Sequence, residues 1–271
     1  MKTRLLTIFS AITLLLSSCT NLNDKRLTDL DELNVKGKVK SITVKSFEAE
    51  EKFGKAVKTT IEDFYKEMFD ENGFVTEMHI FNTEELKVGT SFYKYDEKGN
   101  MNESIFAFEI GSNKGDKIKR SSKSTYTYNE RGFRVEENKY STEGLFETKV
   151  TYTYNENNLN IEQNTYNANG ELIGKETYKY NKDRQVTESK SYLIENGSEH
   201  NSTTEFWYND KGDRSKMRFV SIDKFAHVDI LSSFEYEYDE KENWIKEIVY
   251  SEDSSERKPF KITEREIVYY K

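Results

Sequence analysis

The residues best placed for chemistry are glutamates that recur at a fixed position in a repeated pattern. Each stands four residues after the position at which a turn closes, and two lysines hold the same place in the last two copies. The members of this row are Glu77, Glu103, Glu136, Glu162, Glu188, Lys216 and Lys246. On alternate strands of one sheet they would stand about 9.5 Å apart, a spacing at which they could bind cations or a charged ligand.

A second interpretation of the glutamate row needs no ligand. Lysines on the intervening strands would pair with the glutamates across the sheet, and exposed pairs of this kind contribute little to stability. These modest energies favour a ladder of surface ion pairs over a cation track.

Other catalytic patterns are missing from the sequence. The three histidines, His79, His200 and His227, have no metal-ligand spacing with each other or with the single cysteine. The chain has no phosphate-binding loop, nucleophile elbow or zinc motif, and its paired carboxylates accompany turns. The sequence therefore predicts a protein that is not an enzyme and that uses no metal and no cofactor.

Aromatic side chains are the candidate ligand contacts. Trp207 stands between Phe206 and Tyr208, so its indole points away from the face that those two rings share. An outward indole could stack on a sugar or anchor a protein partner, or it could simply pack under a loop. Trp244 is predicted to lie in the core. The tyrosines proposed as contacts are Tyr93, Tyr126, Tyr152 and Tyr178.

Seven copies of a hairpin pattern carry these side chains. In the clearest copy, Tyr93-Lys-Tyr-Asp-Glu-Lys-Gly-Asn100, two rings share one strand face, Asp96 begins a turn and Gly99 supplies the positive φ that closes it. The last aromatics of the copies are 26 to 33 residues apart, and most units contain a second turn midway. Each unit therefore reads as two strands and two turns of a repeat array.

Three copies lack the glycine. Asn158 can adopt the same left-handed conformation, whereas Arg184 and Glu242 cannot do so without strain. The turns at Arg184 and Glu242 are therefore predicted to be looser or of another type.

The predicted fold is all-β, an antiparallel meander of about sixteen strands in β-hairpin repeats. Charged residues make up 33% and aromatics 14% of the chain, so tyrosine and phenylalanine must supply most of the buried area. This favours a curled, single extended sheet or an open barrel-like array with an aromatic face. A transmembrane barrel is the rival, but Lys, Glu and Asn fill the face where a lipid-facing apolar band would be needed.

The N-terminus has the features of a lipoprotein signal. Residues 1–18 combine Lys2 and Arg4 with an apolar run and small residues before Cys19, which would carry the lipid. Residues 19–34 are predicted to be a flexible tether and residues 35–271 the repeat domain. The protein would be held in the cell envelope, with the outer membrane favoured. Its net charge of −8 argues against a nucleic-acid partner.

The spacing of Tyr93, Tyr95, Asp96, Gly99 and Asn100 resembles the YD repeat of Rhs-type proteins. The chain as a whole resembles repeat-containing lipoproteins of the Bacteroidetes type, whose mature region opens much like residues 33–42. In that family the motif is structural and carries no catalytic residue, so the resemblance implies fold more than activity. The chain is too short to wrap a shell as the large Rhs proteins do.

Three functions remain in view. The first is a non-enzymatic envelope protein that binds a glycan or another envelope protein on an aromatic sheet face. The second is a structural, accessory or immunity-like lipoprotein with no small ligand. The third is an enzyme with a site built from carboxylates, which a deep cleft with perturbed acids would reveal.

Overall fold

The computed structural model shows a closed antiparallel barrel of sixteen strands, preceded by one short helix. It describes residues 27–111, 117–195, 197–222, 227–253 and 256–271, so Cys19 and the predicted signal lie outside the described residues. The elements are α1 (Asp29–Glu32), β1 (Val39–Lys52), β2 (Lys55–Phe69), β3 (Val75–Phe81), β4 (Lys87–Tyr95), β5 (Met101–Gly111), β6 (Lys117–Tyr128), β7 (Arg134–Tyr140), β8 (Phe146–Tyr154), β9 (Asn160–Asn167), β10 (Leu172–Tyr180), β11 (Val186–Glu195), β12 (Ser198–Tyr208), β13 (Arg214–Ile222), β14 (His227–Tyr238), β15 (Trp244–Asp253) and β16 (Glu256–Tyr269).

The expectation of an open curled sheet is wrong. β1 pairs with β16 from the Val39–Tyr269 pair to the Glu48–Lys261 pair, which closes the sheet on itself. Closure removes both edges and satisfies the backbone groups that an open array would leave unpaired. The hairpin pattern predicts only the pairing of neighbours, so it did not indicate this seam. The all-β class, the antiparallel meander and the number of strands are confirmed.

All seven copies of the hairpin pattern turn at the same end of the barrel. In the turn after β4, Asp96 Oδ1 accepts hydrogen bonds from the N–H groups of Lys98 and Asn100, at 2.9 and 2.7 Å. Gly99 has a φ of 78°, as predicted, and its N–H donates to the Asp96 carbonyl. The turns at this end cover residues 70–74, 96–100, 129–133, 155–159, 181–185, 209–213 and 239–243.

The turns at Arg184 and Glu242 correct a second prediction. Both residues adopt a φ of 63° and make the same N–H to carbonyl bond as the glycines, so these turns are neither looser nor of another type. Asn158, with a φ of 60°, behaves as predicted. The left-handed conformation costs a non-glycine residue about 1–2 kcal/mol, which the rest of the array must offset.

Strand alternation gives the barrel an inner face lined with aromatic rings next to these turns. In six of the seven copies the two rings before the turn point into the lumen, and four residues before the first ring the same face carries a small residue. These small residues are Gly89, Ser122, Thr148, Gly174, Ser202 and Ser232. A Cβ on Gly89 would stand 2.7 Å from the Phe106 ring, so this narrow spot requires glycine.

Residues 27–38 lie across the end that carries the seven turns, which we call the capped end. Leu30 N–H donates to the Gly73 carbonyl, Asn34 Nδ2 to the Lys211 carbonyl and Lys36 N–H to Asn243 Oδ1. Those acceptors belong to separate turns, so the segment bridges them. Residues 27–34 are therefore folded onto the barrel, which differs from the tether predicted for residues 19–34.

The buried apolar side chains concentrate beneath this cap. Leu30 and Val35 pack with Val39, Ile42 and Val44 in the main cluster. Sixteen strands at about 4.8 Å spacing and typical tilt enclose a barrel roughly 30 Å across, too wide for side chains to fill. Hydrogen-bond partners among the described strand side chains are at most two strands apart, so none of these bonds crosses the lumen. The barrel therefore resembles a cup, whose capped end is covered by residues 27–38 and whose lumen is wider than its wall side chains are expected to fill.

Candidate functional site

The second tyrosine of the hairpin pattern has a structural role. In five copies its hydroxyl donates to the carbonyl of the first strand residue that follows the preceding turn, so it joins consecutive repeats, whereas Tyr238 donates to Asp213 Oδ2. The bonds run from Tyr95 to Val75 (2.6 Å), Tyr128 to Met101 (2.8 Å), Tyr154 to Arg134 (2.9 Å), Tyr180 to Asn160 (2.6 Å) and Tyr208 to Val186 (2.7 Å). These carbonyls lie beside bulges in the ladder, which explains why the position favours tyrosine over phenylalanine.

The first tyrosines, proposed as ligand contacts, form the next layer of the lumen wall. Tyr126 shares a 2.9 Å hydrogen bond with Ser104, and Tyr152 donates to Glu137 at 2.9 Å. Tyr93, Tyr126 and Tyr152 are half-buried, whereas Tyr178 is buried against Val186 and Phe206 and bonds to Glu176. The structure therefore brings these tyrosines together on one surface but leaves Tyr178 little access to a ligand.

Trp207 lies on the other face of the wall. It pairs with Lys216 on the outside of the barrel and its surface is 44% exposed. The structure therefore separates Trp207 from the tyrosines, and one small ligand cannot contact both.

The most polar part of the lumen wall surrounds Trp244. The guanidinium of Arg265 stacks over its indole with 3.4 Å between Cζ and the ring centroid. Tyr236 donates a 2.9 Å hydrogen bond to Glu247, and Glu67 lies on β2 beyond Tyr65. Of these residues, only Trp244 is singled out in the sequence, as a predicted core residue. A signal was available for Glu67, because it stands where the other copies carry their first ring.

Burial shifts the pKa values of the titratable residues around Trp244. Loss of hydration raises the pKa of Glu67 to about 7, although the charge of Arg265 acts in the opposite direction. Burial also raises the pKa of Glu247, lowers the pKa of Arg265 and raises the pKa of Tyr65 to about 12. The lumen wall is therefore an environment in which unpaired charge is costly, and hydrogen bonds made there are strong.

The glutamate row lies on the outer face, and the ion-pair interpretation describes it. Glu103 contacts Lys94 at 2.5 Å and Lys123 at 3.0 Å, and both lysines lower the pKa of Glu103. The remaining contacts are Glu77 with His79, Glu136 with Asn138, Glu162 with Lys175, Glu188 with Lys179 and Lys246 with Glu237. Four members of the row are thus in surface ion pairs, and Glu136 bonds a neutral amide instead.

The described residues hold neither a metal-binding cluster nor a membrane-spanning helix. No group of three or more His, Cys, Asp or Glu side chains in that part of the chain is arranged to hold a metal ion. No helix within it has the length and apolar character needed to cross a membrane.

The fold defines the class of the protein as a closed sixteen-stranded antiparallel β-barrel, and comparison with known proteins adds to this at the level of fold. The chain is similar to a solved porin-like protein from Bacteroides uniformis ATCC 8492, with 12% identity and a TM-score of 0.52. The similarity covers 85% of this chain and 96% of that one. No family model and no curated protein matches the chain.

Proposed function

We propose that this chain is a non-enzymatic binding protein of the bacterial cell envelope, anchored by a lipid on Cys19, whose lumen receives a glycan. One observation carries the proposal: the predicted aromatic face is the wall of a hollow lumen, where Tyr93, Tyr126 and Tyr152 stand among carboxylates and guanidinium groups. Sugars are held by such a combination, since rings cover their apolar faces and charged groups bond their hydroxyls.

The outer wall supports a position outside the lipid bilayer. It carries Lys94, Glu103 and Lys123 in contact, and similar pairs recur around the barrel. A lysine or arginine on the lipid face of a transmembrane barrel costs about 2–4 kcal/mol at the bilayer midplane. We therefore assign membrane attachment to the lipid on Cys19. The similarity to a porin-like protein also favours a location in the cell envelope.

The anchor would also orient the cup. Leu27 begins the described chain at the capped end, eight residues after Cys19. Eight extended residues reach roughly 28 Å at most, so the capped end would face the membrane. The end opposite the cap would then face away from the membrane and receive the glycan.

Two single-tryptophan variants test the glycan site. Trp207→Phe leaves only the lumenal Trp244, and Trp244→Phe leaves only the external Trp207. Polysaccharide fragments from the native envelope should change the emission of Trp244 but not that of Trp207. A change in the emission of Trp207 alone would place the glycan on the outer face. No change in the emission of either tryptophan would contradict glycan binding. Cys19→Ser should shift the protein from the membrane to the soluble fraction.

A second function, as an accessory lipoprotein with a protein partner, is favoured by the end of the barrel opposite the cap. Most of the exposed large apolar side chains gather there, and such clusters mark interaction surfaces. They include Phe53, Leu86, Leu145, Ile222 and Phe260. Purification of the lipoprotein in mild detergent separates the two functions: a stoichiometric protein partner would favour this second one, and bound polysaccharide alone would favour the first.

A further inference from the structure

Arg265 is a lumenal side chain with an unsatisfied hydrogen-bond donor. Its Nε atom is buried and has no hydrogen-bond partner, and it forms no ion pair with any carboxylate of the described residues. The guanidinium is held instead by its stack on Trp244. A buried N–H without an acceptor costs about 1–3 kcal/mol, so a ligand that accepts this bond recovers that energy.

Two carboxylates, those of Glu67 and Glu247, lie near Arg265. Glu247 receives one hydrogen bond from Tyr236, which leaves acceptor sites on a group that can accept several. Glu67 lies within the electrostatic range of Arg265, and the described residues supply its carboxylate with no hydrogen bond or ion pair. This wall therefore offers one donor and two acceptors beside the rings of Tyr65 and Trp244.

The chemistry of the occupant follows from this mixture. Acidic and basic side chains are mixed here, because Arg214 as well as Arg265 acts on Glu247, so neither a simple anion nor a simple cation matches the whole group. A hydroxyl group both donates and accepts, so a neutral polyol can satisfy all three groups without adding charge to the lumen. Its apolar ring face can lie against the aromatic side chains.

We propose that Tyr65, Glu67, Trp244, Glu247 and Arg265 form a binding site for a neutral sugar residue. The Arg265 guanidinium donates to one hydroxyl, and Glu67 and Glu247 accept from others. The site rests on the proposed glycan function and narrows it, because it excludes sulfated, phosphorylated and uronic-acid sugars from this part of the lumen.

Calorimetry on the full-length lipoprotein in mild detergent tests the site. The probes are the neutral and the acidic fractions of polysaccharide released from the native envelope by mild acid. Arg265→Lys keeps the charge but loses the planar donor, so it should weaken binding of the neutral fraction roughly tenfold or more. Glu67→Gln removes one charged acceptor and should weaken binding in the same direction.

Arg257→Lys is the matched control. Arg257 also lies on β16 and stacks on a ring, that of Tyr250 at 3.6 Å, but on the outer face, so its variant should bind as the parent does. A thermal melt of each variant shows whether it folds. If Arg265→Lys does not fold, Glu67→Gln tests the site in its place.

The outcomes separate the two levels of the proposal. Tighter binding of the acidic fraction would overturn the neutral-sugar site. Equal affinities for the parent, Arg265→Lys and Glu67→Gln, with loss of binding in Tyr152→Ala, would overturn this site but leave glycan binding in the lumen. No binding of either fraction would overturn both.

Discussion

The hydroxyl of Tyr270 donates a 2.6 Å hydrogen bond to the carbonyl of Phe69, on the far side of β1. The last residues of the chain are thereby fastened to the second strand as well as to the first. Tyr270 N–H also donates to the Lys38 carbonyl. The seam between β1 and β16 is therefore closed by the same device that joins the repeats elsewhere, a tyrosine that reaches a backbone carbonyl near a turn.

Tyr270→Phe should weaken the closed barrel. The change leaves the Phe69 carbonyl without this donor and should lower the free energy of unfolding by about 1–2 kcal/mol. Urea denaturation measures it. Tyr140→Phe is the control, because Tyr140 packs on Phe146 and has no hydrogen bond to a described residue. Equal stability of the two variants would show that the seam does not depend on Tyr270.

Arg184→Gly should stabilise the protein. Arg184 occupies the left-handed position of its turn with a φ of 63°, and its Nε atom is buried without a hydrogen-bond partner. Relief of the backbone strain should add about 1 kcal/mol to the free energy of unfolding. Arg184→Ala removes the side chain but keeps the strain, so it should give no such gain. If alanine stabilised as much as glycine, the strain would not lie in the backbone.

Asn243→Ala should loosen the cap over the lumen. Asn243 accepts from Lys36 N–H at 2.7 Å and donates to the Lys36 carbonyl at 2.9 Å and to Tyr269. Loss of these bonds leaves backbone groups unsatisfied at about 1–3 kcal/mol each. Hydrogen exchange in residues 27–38 should therefore accelerate.

Asn169→Ala, in an exposed turn at the other end of the barrel, is the control for that change. Exchange in residues 27–38 should remain as slow as in the parent protein. Equal acceleration in both variants would mean that Asn243 does not fasten the cap.

The sequence predicts this fold wherever the chain repeats itself. The spacing of Tyr93, Tyr95 and Gly99 predicts which strand face each ring occupies and where the turn lies, because period-two alternation and positive φ are local properties. Closure depends on β1 and β16, which lie at opposite ends of the chain and share no motif. The cap depends on Leu30, whose burial follows from tertiary packing, and helix α1 is too short to show a periodic pattern.

The candidate site was hidden for a related reason. Strand alternation already assigns Trp207 and Trp244 to opposite faces, and one stands outside and the other inside, but no sequence pattern indicates which residues surround Trp244. Arg265 lies on β16, where no copy of the pattern marks the inward positions. Its environment comes from three strands that only the closed barrel brings together. Residues that depend on closure cannot be recognised before closure is known.

The pH dependence of stability tests the environment of Glu67. Its folded pKa is raised from 4.5 to about 7, so the folded state holds the proton more tightly than the unfolded state does. Glu67 therefore makes the free energy of unfolding fall as pH rises from about 4.5 to 7, by on the order of 1–3 kcal/mol. Glu67→Gln removes this effect and should raise the melting temperature above the parent's at pH 8, with little difference at pH 4.5.

Glu103→Gln gives the opposite sign and serves as the control. Lys94 and Lys123 lower the pKa of Glu103, so its charge stabilises the folded state above about pH 4.5, and that contribution is lost as pH falls through the lowered pKa. Its glutamine variant should melt at or below the parent's temperature at pH 8. If Glu67→Gln behaved like Glu103→Gln, Glu67 would be well hydrated, and the lumen wall beside Arg265 would lack the desolvation that the sugar site requires.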